Sequence, residues 1–202
     1  MIQTLEPTYR ADITAGALKL PESRIVADLL LQKLSQGDWQ DAIVTRNVLQ
    51  ARNPATARRL TKLIRSRLEL MEPELWRLLR DGKGNVATHA ALAAAVKHSR
   101  LLGDFLQIVV SEQYRTFTPR LSDRLWADYI ESCRERDPTL RVWSQATQRR
   151  LRSTVFQVLA QAGYLEDTQS LKLLSVHIAE PVQRYLEKNR EDYILRSIQV
   201  AP

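Results

Sequence analysis

Apolar residues recur at intervals of three and four along most of this chain, a spacing that places them on one face of an α-helix. Several of these stretches begin at a capping residue followed by proline, as at Asn53-Pro54, where a missing N–H is no loss to the first turn. The 202 residues include only six glycines and eight prolines, which argues against a loop-rich β fold. The pattern therefore predicts an all-α protein folded as a compact helical bundle.

The periodicity divides the chain into a succession of helices. We predict one from Pro21 to near Gly37, one capped by Asp38, one from Pro73 to the breaker Asp81-Gly82-Lys83-Gly84, and the last helices from Glu180 onward. Others are predicted over residues 54–71, 85–96, 101–110, 122–136 and 144–161. Thr118-Pro119 reads as a further helix start, and we place there a boundary between two subdomains, residues 1–118 and 119–202. Residues 164–178 differ, because two short apolar runs flank a polar turn; that pattern predicts a small β-hairpin.

Positive charge is concentrated in one stretch of the sequence. The chain has 30 basic and 23 acidic residues, a net charge of +7. Residues 42–68 contain no acidic residue, and their seven basic residues account for the whole excess; they are Arg46, Arg52, Arg58, Arg59, Lys62, Arg65 and Arg67. Charge this local indicates a surface for a polyanion such as nucleic acid.

The predicted helix over residues 54–71 sorts these charges onto two faces. Leu60, Ile64 and Leu68 form its apolar stripe, whereas Arg58, Lys62 and Arg65 fall opposite at positions i, i+4 and i+7. We expect these three and Arg59 to bind phosphates, with Arg46 and Arg52 at the edge of the surface. Arg67 falls inside the apolar stripe, so we expect it to be structural. The alternative is a solvated helix face whose acidic partners lie elsewhere in the fold.

A second candidate surface lies on the predicted helix over residues 144–161. Gln145, Arg149 and Arg152 share a polar face there, with Arg150 beside them. Two helices followed by a hairpin is the order of a winged helix-turn-helix, and arginine and glutamine are suited to contacts with base edges. The alternative is a structural or protein-contacting helix.

The sequence offers no catalytic, cofactor or metal site. His89, His98 and His177 show no metal-binding spacing, and the single cysteine, Cys133, excludes both an intramolecular disulfide and a zinc knuckle. The glycine-rich phosphate loops and the nucleophile motif G-x-S-x-G are absent. No uncharged stretch approaches the roughly 20 residues of a membrane-spanning helix. We therefore expect a soluble, cytoplasmic protein that is not an enzyme, needs no cofactor and contacts no membrane.

Several segments of the chain resemble a known family, most specifically within the first 70 residues. They are Tyr9-Arg10-Ala11-Asp12-Ile13, Gly16-Ala17-Leu18-Lys19-Leu20-Pro21-Glu22-Ser23-Arg24-Ile25-Val26-Ala27, Leu29-Leu30-Leu31, Trp39, Asn47-Val48-Leu49-Gln50, Arg52-Asn53-Pro54-Ala55-Thr56-Ala57-Arg58-Arg59, Arg65-Ser66-Arg67-Leu68, Ala162-Gly163-Tyr164-Leu165 and Tyr185-Leu186. In these segments the chain resembles the BrxA family, small proteins of the BREX (bacteriophage exclusion) defence systems of bacteria.

The resemblance implies a helical fold related in shape to the antitermination factor NusB, and binding to double-stranded DNA. It also implies work beside other BREX proteins, including a methyltransferase, a phosphatase-like protein and large ATPases. The leading prediction is a non-enzymatic accessory protein that binds duplex DNA mainly through phosphates. A protein-interaction adaptor and an RNA-binding protein remain alternatives, although an aromatic content of 6% offers few stacking platforms for unpaired bases.

Overall fold

The computed structural model describes residues 8–200, and it confirms the predicted all-α fold. Its α-helices are α1 (Leu20–Leu31), α2 (Gln36–Gln40), α3 (Pro54–Leu68), α4 (Pro73–Asp81), α5 (Asn85–His98), α6 (Arg100–Asp104), α7 (Ser111–Arg115), α8 (Asp123–Arg136), α9 (Gln145–Gln161), α10 (Glu180–Lys188) and α11 (Asp192–Ile198). A 3₁₀-helix covers Asp12–Ala15, and π-helical turns at Asp41–Thr45 and Phe105–Val110 extend α2 and join α6 to α7. No helix within residues 8–200 is long and apolar enough to cross a membrane. The shape relationship to NusB stays a prediction.

Side-chain caps set the starts of α3 and α9, as the sequence predicts. The side chain of Asn53 accepts a hydrogen bond from the Thr56 amide at 2.8 Å, and Pro54 opens α3. Ser144 caps α9 in the same way, accepting from the amide of Thr147 at 3.2 Å. Each cap satisfies one of the amides that the first turn of a helix leaves without a partner.

Two predicted helix starts are wrong. Ser35, not Asp38, caps α2, because its hydroxyl accepts from the Asp38 amide at 3.2 Å. No helix begins at Pro119 either; α8 begins at Asp123 behind the cap Ser122. The carbonyl of Pro119 instead accepts from the Leu173 amide at 2.9 Å, so long-range backbone pairing determines the conformation here.

The segment predicted as a β-hairpin, residues 164–178, takes part only in isolated β-bridges. Two isolated antiparallel bridges, Leu165 with Leu173 and Arg120 with Lys172, are the β pairing found in the described residues. The carboxylate of Asp167 closes the turn by accepting from the amides of Gln169 at 2.6 Å and Ser170 at 2.7 Å. The pairing brings three short extended segments together, but it does not form a sheet.

The chain forms two compact units that alternate along the sequence. The α5 unit comprises Leu18–His98 and Ile178–Leu195, and the α9 unit comprises the described parts of Met1–Ala17, Ser99–His177 and Arg196–Pro202. The boundary that we place between residues 118 and 119 stays a prediction, and the two compact units divide the chain at other positions.

The core of the α5 unit is built around α5 itself. Ala87 and every residue of this helix from His89 to Val96 are buried. Its short side chains let α1, α3, α4 and α10 approach closely. The imidazole Nδ1 of His89 accepts from the Ala179 amide at 2.9 Å, and the Tyr185 hydroxyl accepts from the Glu72 amide at 2.9 Å. These bonds attach the α10 segment to helices much earlier in the chain.

An aromatic cluster forms the core of the α9 unit. The ring centroid of Phe105 lies 5.1 Å from that of Tyr129, 5.3 Å from that of Trp126 and 6.0 Å from that of Phe156. Tilted and edge-on arrangements at these distances are favourable beyond the burial of apolar area. The Tyr129 hydroxyl also donates to the Leu101 carbonyl at 2.7 Å. The cluster therefore fixes α8 and α9 against the π-helical turn at Phe105–Val110.

Candidate nucleic-acid interface

Helix α3 has the two faces that its sequence predicts. Leu60, Ile64 and Leu68 are buried in the α5 unit, where α3 packs against α1 and α5. Arg58, Lys62 and Arg65 are exposed on the other side. The apolar stripe fixes the rotation of the helix, so the three cations are presented together to solvent.

Two of these cations are available to a polyanion. Arg58 and Lys62 are exposed and make no ion pair within residues 8–200. Arg59 is exposed on the same helix, and so is Arg52 just before it. We refer to Arg58, Arg59, Lys62 and Arg65 together as the α3 platform.

Acidic residues that flank the acid-free stretch fold back onto its ends. The guanidinium of Arg46 is paired with Asp41 at 2.8 Å, and that of Arg65 is paired with Glu69 at 2.5 Å. Arg65 also lies over the ring of Trp39, with its Cζ atom 4.6 Å from the ring centroid. The charges of Arg46 and Arg65 are therefore partly offset by neighbouring carboxylates.

The buried arginine of α3 lies where the sequence predicts. Only 4% of the Arg67 surface is exposed, so this side chain cannot reach a nucleic acid. A buried guanidinium requires polar partners inside the fold, which gives Arg67 a structural role.

The cations of α9 differ in how firmly they are held. Arg149 and Arg150 are exposed, and an Nη atom of Arg149 lies 3.5 Å from the Gln145 amide oxygen. Arg152 instead forms an ion pair with Asp123 of α8, and its Cζ atom lies 4.5 Å from the ring centroid of Phe156. The structure thus brings Arg152 into the α8–α9 packing and leaves Arg149 and Arg150 facing solvent.

A groove that no sequence motif indicates lies beside the α3 platform. A cleft of about 570 Å³ is bounded by residues of α1, of the link that follows it, of α2 and of α3. An adjoining cleft of about 240 Å³ is bounded by residues of α2, of the π-helical turn at Asp41–Thr45 and of α3. Both clefts share Trp39 and Arg65 in their walls. We call the pair the Trp39 groove; its lining residues are Leu29, Leu30, Lys33, Leu34, Gln36, Trp39, Gln40, Ile43, Val44, Arg58, Thr61, Lys62 and Arg65. The signal in the sequence was Trp39, a large apolar side chain in a short polar stretch between the leucine-bearing segments that form α1 and α3.

The cysteine and one of the histidines, residue types that often act in catalysis, lie in the core of this protein. Burial raises the pKa of the Cys133 thiol to about 11, so the sulfur is a protonated core group rather than a nucleophile. His89 is buried and bonded to a backbone amide. Within residues 8–200, no cluster of histidine, cysteine, aspartate or glutamate has the geometry to hold a metal ion.

Comparison with known proteins gives consistent matches over nearly the whole chain. The sequence model of the BrxA family matches residues 7–190. A protein of Paramagnetospirillum magneticum (strain ATCC 700264 / AMB-1) described as "BREX protein BrxA" is 50% identical over 196 residues, which cover 97% of this chain and 98% of that protein. A protein of Escherichia coli O9:H4 (strain HS) with the same description is 30% identical over 183 residues, covering 91% and 86%.

The fold is also similar to that of a solved structure. The crystal structure of an uncharacterized protein from Magnetospirillum magneticum superposes with a TM-score of 0.90 at 48% sequence identity. The match covers 96% of this chain and 100% of that one.

Proposed function

Since the chain belongs to the BrxA family of BREX systems, we propose that it is a non-enzymatic accessory protein that binds double-stranded DNA through phosphate contacts. The exposed pair Arg58 and Lys62 on α3 is the observation that carries the proposal. The two residues are one helical turn apart, which presents both cations on a single rigid face. Arg59 and Arg65 extend that face, and Arg46 and Arg52 lie before it in the sequence.

Binding of this kind depends on the release of counterions. Each phosphate that is neutralised contributes about 0.9 to the slope of log affinity against log salt concentration. Contacts from the α3 platform alone therefore predict a slope of about −3 to −4, with weak preference for sequence because phosphates carry no base information.

A salt series on the wild-type protein tests the proposal. We expect an electrophoretic mobility shift with duplex DNA at low salt that weakens at least this steeply between roughly 50 and 200 mM salt. Single-stranded DNA and duplex RNA of equal length serve as competitors. The absence of any shift at low salt would contradict DNA binding, and stronger competition by either RNA or single strands would favour the RNA-binding alternative.

We further propose that the α9 unit has a contact surface of its own for duplex DNA. The order of an extended segment at Arg120, helices α8 and α9, and a bridge-paired turn is that of a winged helix-turn-helix. Arg149 and Arg150 are exposed near the start of α9, the part of a recognition helix that lies in the major groove, where an arginine can also reach the phosphates beside the groove. We propose that α9 contributes these two cations and that Arg152 supports the α8–α9 packing.

Substitution of single arginines on α9 distinguishes these roles. Arg150→Gln is expected to lower duplex affinity by roughly 8-fold at 0.1 M salt and to reduce the salt slope by about 1, the loss of one phosphate contact. Arg152→Gln is expected to leave affinity within about 2-fold, because its charge is already paired with Asp123, but to lower the melting temperature. Titration by fluorescence anisotropy and a thermal melt measure both effects. A larger loss of affinity in Arg152→Gln would reverse the assignment.

A further inference from the structure

The Trp39 groove has a composition that phosphate binding does not require. Its floor is apolar, formed by leucines of α1 and by Leu34 just after this helix, together with Ile43, Val44 and the indole of Trp39. The larger cleft, at about 570 Å³, lies in the range of roughly 300–1,000 Å³ that is usual for binding pockets. Duplex DNA touches a protein mainly through its phosphates, so it would use the cations at the rim of the groove and leave the floor empty.

The rim of the groove has a single sign of charge. Lys33, Arg58, Lys62 and Arg65 line the two clefts, and the described residues that line them include no carboxylate. Lys33, Arg58 and Lys62 are exposed. An occupant that satisfies both floor and rim therefore needs apolar anchors flanked by carboxylates.

A buried hydroxyl inside the smaller cleft also lacks a partner. Thr61 is 4% exposed and lines this cleft, yet its Oγ1 atom has no hydrogen-bond partner within residues 8–200. Such a hydroxyl costs free energy unless a polar group of an occupant reaches it. The Oγ1 atom has almost no solvent-accessible surface, so a carboxylate or backbone carbonyl in the cleft would accept its hydrogen bond only after the Thr61 side chain rotates about χ1.

We infer that the Trp39 groove docks an acidic amphipathic helix of a partner protein, with its apolar side chains on either side of Trp39 and its carboxylates on the surrounding cations. This inference goes beyond DNA binding. The groove shares Arg58, Lys62 and Arg65 with the α3 platform, so the docked helix would also compete with duplex DNA; that consequence alone rests on the proposed function.

A synthetic helix provides a direct test on the full-length protein. The probe is a fluorescein-labelled peptide of about 15 residues with leucine at positions i, i+4 and i+7 and glutamate on both sides of this stripe. A scrambled peptide of the same composition is the control. We expect anisotropy to show saturable binding of the probe and at least roughly 10-fold weaker binding of the scrambled peptide, the effect of about one apolar anchor.

Two neutral variants locate the site without changing its charge. Leu34→Gln/Val44→Gln replaces two half-buried floor residues and is expected to lower peptide affinity at least roughly 10-fold, while duplex DNA affinity is unchanged. Thr61→Val keeps the shape of the side chain, does not endanger folding, and is expected to lower peptide affinity by roughly 2- to 10-fold. Circular dichroism checks that each variant is folded.

Several results would overturn the inference. They are the absence of saturable peptide binding, equal binding of both peptides, and unchanged affinity in both variants. Binding of a labelled oligothymidylate that Leu34→Gln/Val44→Gln abolishes, with peptide binding unaffected, would assign the groove to unpaired nucleotides instead. Peptide binding is measured without DNA. A protein that fails to bind DNA can therefore still bind the peptide, and the two proposals fail separately.

Discussion

Replacing Arg58, Lys62 and Arg65 together by glutamate is expected to lower the affinity for duplex DNA by at least roughly 60-fold at 0.1 M salt. Each phosphate contact adds about 0.9 to the slope of log affinity against log salt concentration, so it raises the affinity roughly 8-fold when salt falls from 1 M to 0.1 M. Arg58 and Lys62 supply two such contacts. Arg65 adds less, because Glu69 offsets its charge, and repulsion from the new carboxylates adds to the loss. Anisotropy titrations over a salt series should show a slope reduced by about 2 to 3.

A matched variant separates local contact from overall charge. Arg77→Glu/Arg184→Glu/Arg190→Glu makes the same change in net charge on exposed positions outside α3. We expect this control to lose only a small part of the affinity, because exposed charges farther than about 10 Å from the bound phosphates are screened at 0.1 M salt. Equal losses in the two triple variants would place the contact elsewhere and leave α9 as the first surface to examine.

Truncation of Phe105 to alanine is expected to destabilise the protein by about 3–5 kcal/mol. Phe105 is fully buried and is in contact with the rings of Trp126, Tyr129 and Phe156. Its removal would leave a cavity at the centre of the α9 unit, and the three rings would lose their common neighbour. Urea denaturation followed by circular dichroism and by tryptophan fluorescence measures the loss.

Phe117→Ala provides the control for this truncation. Phe117 is 90% exposed, so the same change in side chain is expected to alter stability by less than about 0.5 kcal/mol. Equal losses for the two variants would show that the aromatic cluster contributes nothing specific to the stability of the α9 unit.

Local signals explain why the starts of α3 and α9 could be predicted from the sequence. A cap such as Asn53 or Ser144 bonds to an amide three residues later, so the information lies within one turn. Helix ends are harder to predict. α1 ends at Leu31 and Lys33 follows with φ = 52°, a left-handed conformation that usually signals itself by glycine or asparagine. A lysine gives no such signal, and the predicted end near Gly37 was therefore too late.

The candidate interface could be predicted in part for the same reason. The face of Arg58 and Lys62 follows from helical spacing alone, and the burial of Arg67 follows from its place in the apolar stripe. The ion pair of Arg65 with Glu69 could also have been predicted from the sequence, because the two residues are four positions apart on a helix. In contrast, the contact of Arg152 with Asp123 joins two helices, and the Trp39 groove draws its walls from three, so neither follows from local spacing.

The alternating order of the two compact units determines when each can form as the chain leaves the ribosome. Helices α1 to α5 emerge first, but the α10 segment that completes their unit follows only after nearly all of the α9 unit has been made. Until then, the surfaces of α4 and α5 that α10 covers are exposed on the nascent chain, a state in which apolar surface invites aggregation or chaperone binding. For the same reason, neither unit exists as a continuous fragment, so cutting the gene at a single point cannot yield either one intact.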